Sequence, residues 1–368
     1  MKVTFPHLGS MHIFCKAVAE TAGIPYVLPG PTSIRTRETG EYRTNESVCL
    51  PLKIILGNLA DGLDRGADTV VMVGSGPPCR LGLYDRVIKI LLREMGHTFR
   101  WLTIPGVFNR KAFVQNYFET RELKKELAPS SFARFPRALV MGWRKMICCE
   151  RLEQAAAEMR AAAEDPDLVD RRLARALEGI DRARDPKGLA AALRDGLDGL
   201  RSCPRSGREP LRVVLVGEVY TVMEPAINMD VERRLGRQGV AVERTSWFSS
   251  HIRRASRLDR GIRKERQRLL SRARPYLAFD VGAECNFSVA EAVEAKQHGR
   301  DGVVHVYPFS CMPETNAAAV LQAVCEDLDL PVMGLAVDRQ DMELRIDSQI
   351  EAFVDILRWR REGRVTFS

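Results

Sequence analysis

Three cysteines of this sequence stand in loops, each within two residues of a proline and shortly ahead of a stretch with helical periodicity. Cys49 and Cys311 are each followed two positions later by a proline, in VCLPLK and SCMPET, and Cys79 follows two prolines in GPPCRLG. A thiol at the first turn of a helix lies at the positive end of the helix dipole, which favours the thiolate. Thiolates are soft ligands that suit iron–sulfur clusters, zinc or copper(I). The pattern therefore predicts metal-binding or redox-active thiols contributed by separate loops.

A fourth cysteine, Cys285 in GAECNFS, is a candidate by its position between a predicted strand and a predicted helix. A structural zinc site would draw cysteine pairs at short spacing, and the chain has no CxxC pair. The nine cysteines are odd in number and scattered, which argues against a disulfide framework and indicates a reducing compartment. For any one of them alone, the competing interpretation is a buried thiol that acts as a small apolar residue.

Strands and helices alternate in both halves of the sequence. We predict strands at residues 2–5, 24–28, 69–73, 98–103, 211–217, 240–244, 276–281, 302–307 and 331–337. We predict helices at residues 10–22, 52–65, 83–95, 225–236, 252–272, 288–297, 313–327 and 342–361. Residues 30–47 are interpreted as a long polar connection. This alternation predicts mostly parallel sheets with right-handed crossovers, in which ligands bind at the carboxyl ends of the strands.

The middle of the chain shows helical periodicity and no strand pattern. Helices are predicted at residues 110–127, 138–163, 168–179 and 187–200, separated by prolines. We therefore predict an α/β domain at 1–106, a helical bridge and linker at 107–210, and a second α/β domain at 211–368. The fold class is α/β, with two flavodoxin-like parallel-sheet halves joined by a helical segment.

Composition predicts a cytoplasmic protein without membrane spans. The 368 residues contain no run of 18 apolar residues, and MKVTFPHLGS has the pattern of a first strand rather than a signal peptide. The formal net charge of +8 has a local source, because residues 251–275 hold ten Lys and Arg against two Asp and Glu. The basic helix within residues 253–274 is either a solvated face or a docking site for an acidic partner or for the phosphates of coenzyme A. Nucleic acid is not favoured, because no recognised binding module accompanies the charge.

The segments ESVCLPLKIILGNL and GPPCRLGLYD resemble the 2-hydroxyacyl-CoA dehydratase and benzoyl-CoA reductase superfamily, in its stand-alone CoA-enzyme activase-like branch. The matching residues are Cys49, Pro51, Lys53, Cys79, Arg80, Gly82 and Tyr84. The sequence departs from the pattern at Leu81, where an aromatic residue is usual, and at Leu83, where a polar residue is usual. Residues 217–221, 308–315 and 349–357 also resemble the superfamily, and the resemblance fades in the helical middle.

The resemblance implies an oxygen-sensitive [4Fe-4S] cluster on Cys49, Cys79 and Cys311, with one iron position left open and Cys285 as a possible fourth ligand. The implied cofactor-binding residues beside the cluster, which could donate hydrogen bonds to sulfur, are Ser75, Arg80 and Ser310. An ATP-hydrolysing iron–sulfur activator protein would deliver single low-potential electrons for reductive or radical chemistry on an acyl-CoA or related small molecule. A sister subunit or a homodimer is the implied assembly.

Two alternatives stay open: a double-cubane-cluster reductase of small molecules, and a non-catalytic electron carrier or scaffold. The catalytic group is not identified by the sequence, although His7, Glu218, Asn228 and Glu314 lie in or beside the matching segments and could transfer protons. The competing interpretation for each is capping or hydrogen bonding in the core. Residues 74–76 (GSG) do not indicate a dinucleotide site, because the third glycine position is Cys79 and the preceding prolines lack backbone donors.

Overall fold

The computed structural model describes residues 1–74, 80–105, 129–256, 260–337 and 342–364. The chain divides into two compact units, the first made of Met1–Ile147 and Phe248–Asp259 and the second of Cys148–Trp247 and Arg260–Ser368. Among the described residues, each unit contains one parallel sheet. The domain boundaries expected from the sequence stay a prediction.

The sheet of the first unit has the order β1 (Val3–Thr4), β2 (Thr69–Gly74), β3 (Arg100–Pro105). On the other side of β1, Tyr26 pairs with Val3 in a single parallel bridge. Backbone bonds Val3 N to Pro25 O (2.9 Å) and Val27 N to Val3 O (2.8 Å) hold this bridge. The expected strand at 24–28 is therefore reduced to one bridging residue, which still occupies the expected place beside β1.

The helices of the first unit are α1 (Met11–Ala22), α2 (Ile34–Tyr42), α3 (Leu50–Asp64) and α4 (Tyr84–Glu94). A longer helix, α5 (Pro129–Ala162), contains the boundary between the units. The interpretation of residues 30–47 as a connection without helix was wrong, because α2 lies within it. The predicted helix at 110–127 lies outside the described residues.

The sheet of the second unit has the order β5, β4, β6, β7, and every pair is parallel. The strands are β4 (Leu211–Gly217), β5 (Val240–Arg244), β6 (Gly302–Tyr307) and β7 (Val332–Ala336). Numbered along its own segments, this is the order 2-1-3-4 of flavodoxin-like sheets, and the first unit has the same order when Tyr26 is counted. The predicted fold class, two flavodoxin-like α/β halves, is confirmed.

The remaining helices are α6 (Pro166–Arg182), α7 (Pro186–Arg201), α8 (Val219–Met223), α9 (Pro225–Asn228), α10 (Val231–Arg237), α11 (Phe248–Ser256), α12 (Arg260–Ala273), α13 (Cys285–Gln297), α14 (Met312–Leu328) and α15 (Met342–Arg361). A buried apolar cluster joins α13 and α14 to β4 and β6. It holds the amino-terminal ends of these two helices at the carboxyl edge of the sheet.

Two expected elements of the second half differ from the structure. Residues 276–281 are not a strand, because the side chain of Asn286 binds Val281 N (2.9 Å) and Phe279 O (3.0 Å), the backbone groups that a sheet neighbour would need. The expected helix at 225–236 is broken by two left-handed residues, Met229 (φ 56°) and Asp230 (φ 55°). Helices α11 and α12 overlap the expected basic helix at 252–272, and residues 257–259 lie outside the described residues.

In the part of the chain that the structure describes, none of the helices combines the length and the apolar character needed to cross a bilayer.

Candidate functional site

Cys49 is the residue immediately before α3, with an extended backbone (φ −67°, ψ 145°), and Pro51 lies in the first turn that follows. Its side chain makes no capping hydrogen bond to that helix. Instead, its sulfur contacts the hydroxyl of Tyr84, the first residue of α4. Tyr84 follows Arg80–Leu83, a 3₁₀ turn that comes directly after Cys79 in the sequence. The loop of Cys49 is thus tied to the helix that follows Cys79.

The position of Cys49 depends on close packing between α2 and α3. A Cβ atom at Gly57 of α3 would lie 2.0 Å from Thr36 O, and one at Gly40 of α2 would lie 2.0 Å from Lys53 O. Only glycine allows two backbones to approach so closely at both crossing points. The missed helix α2 therefore holds α3, the helix that Cys49 directly precedes.

Cys79 and Ser75 lie outside the described residues, as does the side chain of Arg80. His7 follows β1 at the carboxyl edge of the first sheet, and its ring stacks on His12 with centroids 4.8 Å apart. His12 Nδ1 is hydrogen-bonded to Gly9 O at 2.8 Å. The first unit thus places an imidazole pair at one strand end and Cys49 at the start of α3.

Cys311 is the residue immediately before α14 and repeats the local structure of Cys49. Its backbone is extended (φ −81°, ψ 99°), its side chain makes no capping hydrogen bond to the helix, and Pro313 lies in the first turn. The residue is buried, but its neighbours Phe309 and Met312 are 63% and 61% exposed. Ser310 precedes Cys311 in the loop, whose turn is closed by Cys311 N donating to Pro308 O at 2.9 Å.

Cys285 begins α13 in the same unit and is fully buried. Burial raises the pKa of its thiol to about 12, and the negative charges of Glu314 and Asp280 raise it further. These surroundings favour the protonated thiol, whereas a metal ligand must be a thiolate. The structure therefore gives Cys285 the character of a core thiol.

Glu314 lies at the centre of a buried polar network under the first turns of α13 and α14. Its Oε2 accepts from Ser288 Oγ at 2.9 Å and lies 2.8 Å from His305 Nε2, and all three residues are almost fully buried. Its Oε1 is buried and has no hydrogen-bond partner among the described residues. The ring of His305 stacks on Tyr307 at 4.4 Å. This network fixes the two helix ends relative to β6.

The sequence did not single out Ser288 or His305. The signal for His305 was present, because it is a polar residue inside the otherwise apolar strand GVVHVY. A buried polar side chain must find a hydrogen-bond partner, so a histidine in such a strand predicts a buried polar partner close by.

Glu218 caps α8 at the end of β4. Its carboxylate accepts from Tyr220 N (3.1 Å), Thr221 N (2.8 Å) and Thr221 Oγ1 (2.7 Å). Burial raises the pKa of Glu218 to about 6, the hydrogen bonds oppose that shift, and the charge of Glu314 adds to it. Asn228 is buried and donates to Thr221 O (2.9 Å) and Val222 O (3.1 Å). Both residues thus shape the loop after β4.

The eight cysteines in the described part of the chain are free thiols. Among those residues, no group of three or more His, Cys, Asp or Glu side chains forms an arrangement that could hold a metal ion. Cys79 is not among them. No protein-family model matches the chain, and a comparison with curated proteins gives no match either. The resemblance to the dehydratase superfamily stays a prediction that rests on the residues quoted above.

Proposed function

We propose that this chain is an iron–sulfur redox protein of the 2-hydroxyacyl-CoA dehydratase type, in which Cys49, Cys79 and Cys311 hold a [4Fe-4S] cluster. The observation that carries the proposal is the repeated local structure of Cys49 and Cys311. Each is an extended residue at the start of a helix with a proline in the first turn, and neither uses its sulfur as a cap for that helix. Two unrelated core cysteines have no physical reason to share this environment.

The chemistry of Cys49, Cys79 and Cys311 suits an iron–sulfur cluster. Cysteine thiolates are the usual ligands of iron–sulfur clusters, and backbone N–H groups of a first helical turn can donate to cluster sulfur and stabilise negative charge. Pro51 and Pro313 preset the first turns, so that little ordering remains when a ligand binds. Ser75, Arg80 and Ser310 are the proposed donors beside the cluster.

When bound, the cluster supplies single low-potential electrons for reductive chemistry. We place the protein in a reducing cytoplasm with an ATP-hydrolysing iron–sulfur activator as electron donor and an acyl-CoA or related small molecule as acceptor. Glu218 can hold or release a proton near neutral pH, because its pKa is raised to about 6. His7 and Glu314 are the other proposed proton-transfer groups.

Anaerobic purification followed by iron, sulfide and zinc analysis tests this proposal. About four irons per chain support one cubane and about eight support a double cubane. Stoichiometric zinc without iron would overturn the proposal. Cys203→Ala is the matched control, because Cys203 is a buried thiol outside the candidate loops and its removal should leave the iron content unchanged.

A steady-state assay with activator, ATP and reductant separates an enzyme from a carrier. Turnover of a small acceptor by this chain and its activator alone excludes the carrier. Electron transfer that reaches an acceptor only when a further protein is added favours the carrier.

A further inference from the structure

Helix α12 carries much of the positive charge of the chain, and part of that charge is used to attach the helix to its own unit. Arg268 Nη1 lies 2.7 Å from Glu294 Oε1 on α13, and Arg272 Nε lies 4.0 Å from the same oxygen. Arg266 pairs with Asp280 at 3.5 Å and lies over the ring of Phe287. These arginines fix one side of α12 against α13.

Other cations of the segment point to solvent. Lys264 and Arg274 are exposed and form no ion pair with any residue that the structure describes. Phe279, in the loop between α12 and α13, is 72% exposed. We call Lys264, Arg274 and Phe279 the α12 patch. Phe279 follows Arg274 by five residues in the sequence, and an exposed aromatic residue together with unpaired cations has the composition of a protein–protein contact, in which aromatic residues form the centre and charges the rim.

The α12 patch is joined to the loop of Cys311 by a short series of contacts within the second unit. Asn286 at the start of α13 holds the backbone of Phe279 through the bond to Phe279 O at 3.0 Å. Two residues later, Ser288 donates to Glu314, at the start of α14, at 2.9 Å. Cys311 directly precedes that helix, between the exposed Phe309 and Met312. Exposed apolar side chains thus occur at the starts of both helices.

We infer that the α12 patch is the docking surface for an acidic protein that acts as a one-electron donor. Charge complementarity identifies the partner, because the charge of residues 251–275 equals the formal net charge of the chain, +8. A free phosphate ligand would need several unpaired arginines around one point, but three arginines of this segment are already paired with carboxylates. The inference rests on the proposed function only in naming the partner an electron donor.

The test measures binding of one defined probe, a purified bacterial ferredoxin with an acidic surface, to the full chain at low and at physiological salt. The charge variant is Lys264→Glu with Arg274→Glu, and the apolar variant is Phe279→Ala. The matched control is Lys187→Glu with Arg194→Glu on α7, which makes the same change in net charge at two exposed positions of the same unit.

We expect the charge variant to weaken binding about tenfold at low salt, mainly through slower association, and to flatten its salt dependence. Phe279→Ala should weaken binding by a similar factor at both salt concentrations, because an apolar contact is not screened. The control should bind within about twofold of the unmodified chain. Iron content is measured for every variant, so that loss of the cluster, which would count against the proposed function, is separated from loss of docking.

Three results would overturn the inference. The first is a ferredoxin affinity that does not depend on salt or is too weak to measure. The second is an equal loss of affinity in the α7 control, which would show that net charge alone governs binding. The third is tighter binding of the same patch to coenzyme A, to vesicles of anionic lipid or to duplex RNA than to the ferredoxin.

Discussion

Cys49 and Cys311 hold the same position relative to the helices that follow them, although they belong to different units of the chain. Each has an extended backbone and ends the loop before a helix whose first turn contains a proline. The extended conformation before the helix and the fixed φ of proline make this a rigid junction. The repeated Cys-x-Pro pattern made this local structure predictable from the sequence.

Removal of single cysteines tests the ligand set. Alanine at Cys49, Cys79 or Cys311 should abolish or degrade the cluster, because each would remove one of three thiolate ligands. Cys285→Ala should retain the full iron content, because burial keeps that thiol protonated. The measurement is iron and sulfide per chain after anaerobic purification, together with the visible absorbance spectrum.

An equal loss of iron in Cys285→Ala and in the other variants would contradict the open iron position. A fourth cysteine would close the cubane and favour simple electron carriage. Far-ultraviolet circular dichroism of each variant shows whether a loss of iron follows from misfolding.

The crossing of α2 and α3 gives a prediction about stability. In Gly57→Ala the added methyl carbon would lie 2.0 Å from Thr36 O, well inside van der Waals contact. We expect the free energy of unfolding to fall by about 1–3 kcal/mol, despite the better helix propensity of alanine. Gly199→Ala on α7 is the control, because no atom of the described residues lies within 4 Å of the position that its Cβ would take, and it should be neutral or slightly stabilising. Urea unfolding monitored by circular dichroism measures both, and an unchanged midpoint for Gly57→Ala would contradict the close crossing.

The same crossing explains why the sequence did not reveal α2. Its segment is polar and contains a glycine, so neither periodicity nor propensity predicts a helix. Its stability comes from tertiary contact with α3 and from Ser33, which caps it by accepting from Thr36 N. The sequence signals for the strands β4 and β6 were strong, by contrast, because runs of valine buried on both faces are typical of parallel sheets.

The expected strand at 276–281 shows a second limit of local reasoning. Its apolar residues suit a strand, but whether a strand forms depends on a neighbour for its backbone groups. Asn286, later in the chain, takes that role through its side chain, and Gly282 and Ala283 with positive φ turn the chain towards α13. No pattern within the segment itself contains this information.

The buried network of Glu314 predicts coupled effects of mutation. Among the described residues, His305→Phe leaves the buried carboxyl group with Ser288 as its one side-chain partner. We expect a loss of about 1–3 kcal/mol in the free energy of unfolding. Ser288→Ala should cost less, because the bond to His305 remains. The double variant Glu314→Leu with His305→Phe replaces both polar groups by apolar ones. It should cost less than the sum of the single variants, since of the three polar groups only the hydroxyl of Ser288 then loses its partner.

Double-mutant cycles from urea unfolding at constant slope measure this coupling. Strict additivity of the two single variants would show that Glu314 and His305 do not depend on one another.

The raised pKa of Glu218 predicts how stability changes with pH. Burial raises the pKa from 4.5 to about 6 in the folded state, so the folded protein holds this proton more tightly than the unfolded chain does. The stabilisation of the folded state that results from this raised pKa is fully present below pH 4.5 and is lost as pH rises through about 6. The loss amounts to about 1–2 kcal/mol.

In Glu218→Gln, which cannot titrate, the free energy of unfolding should lack this decline. The difference between the two proteins, measured by urea unfolding from pH 4 to 7, should therefore change across that window. Glu351→Gln, at an exposed position on α15, should leave the pH dependence as it is. A Glu218→Gln profile parallel to that of the unmodified chain would show that the carboxylate titrates alike in both states.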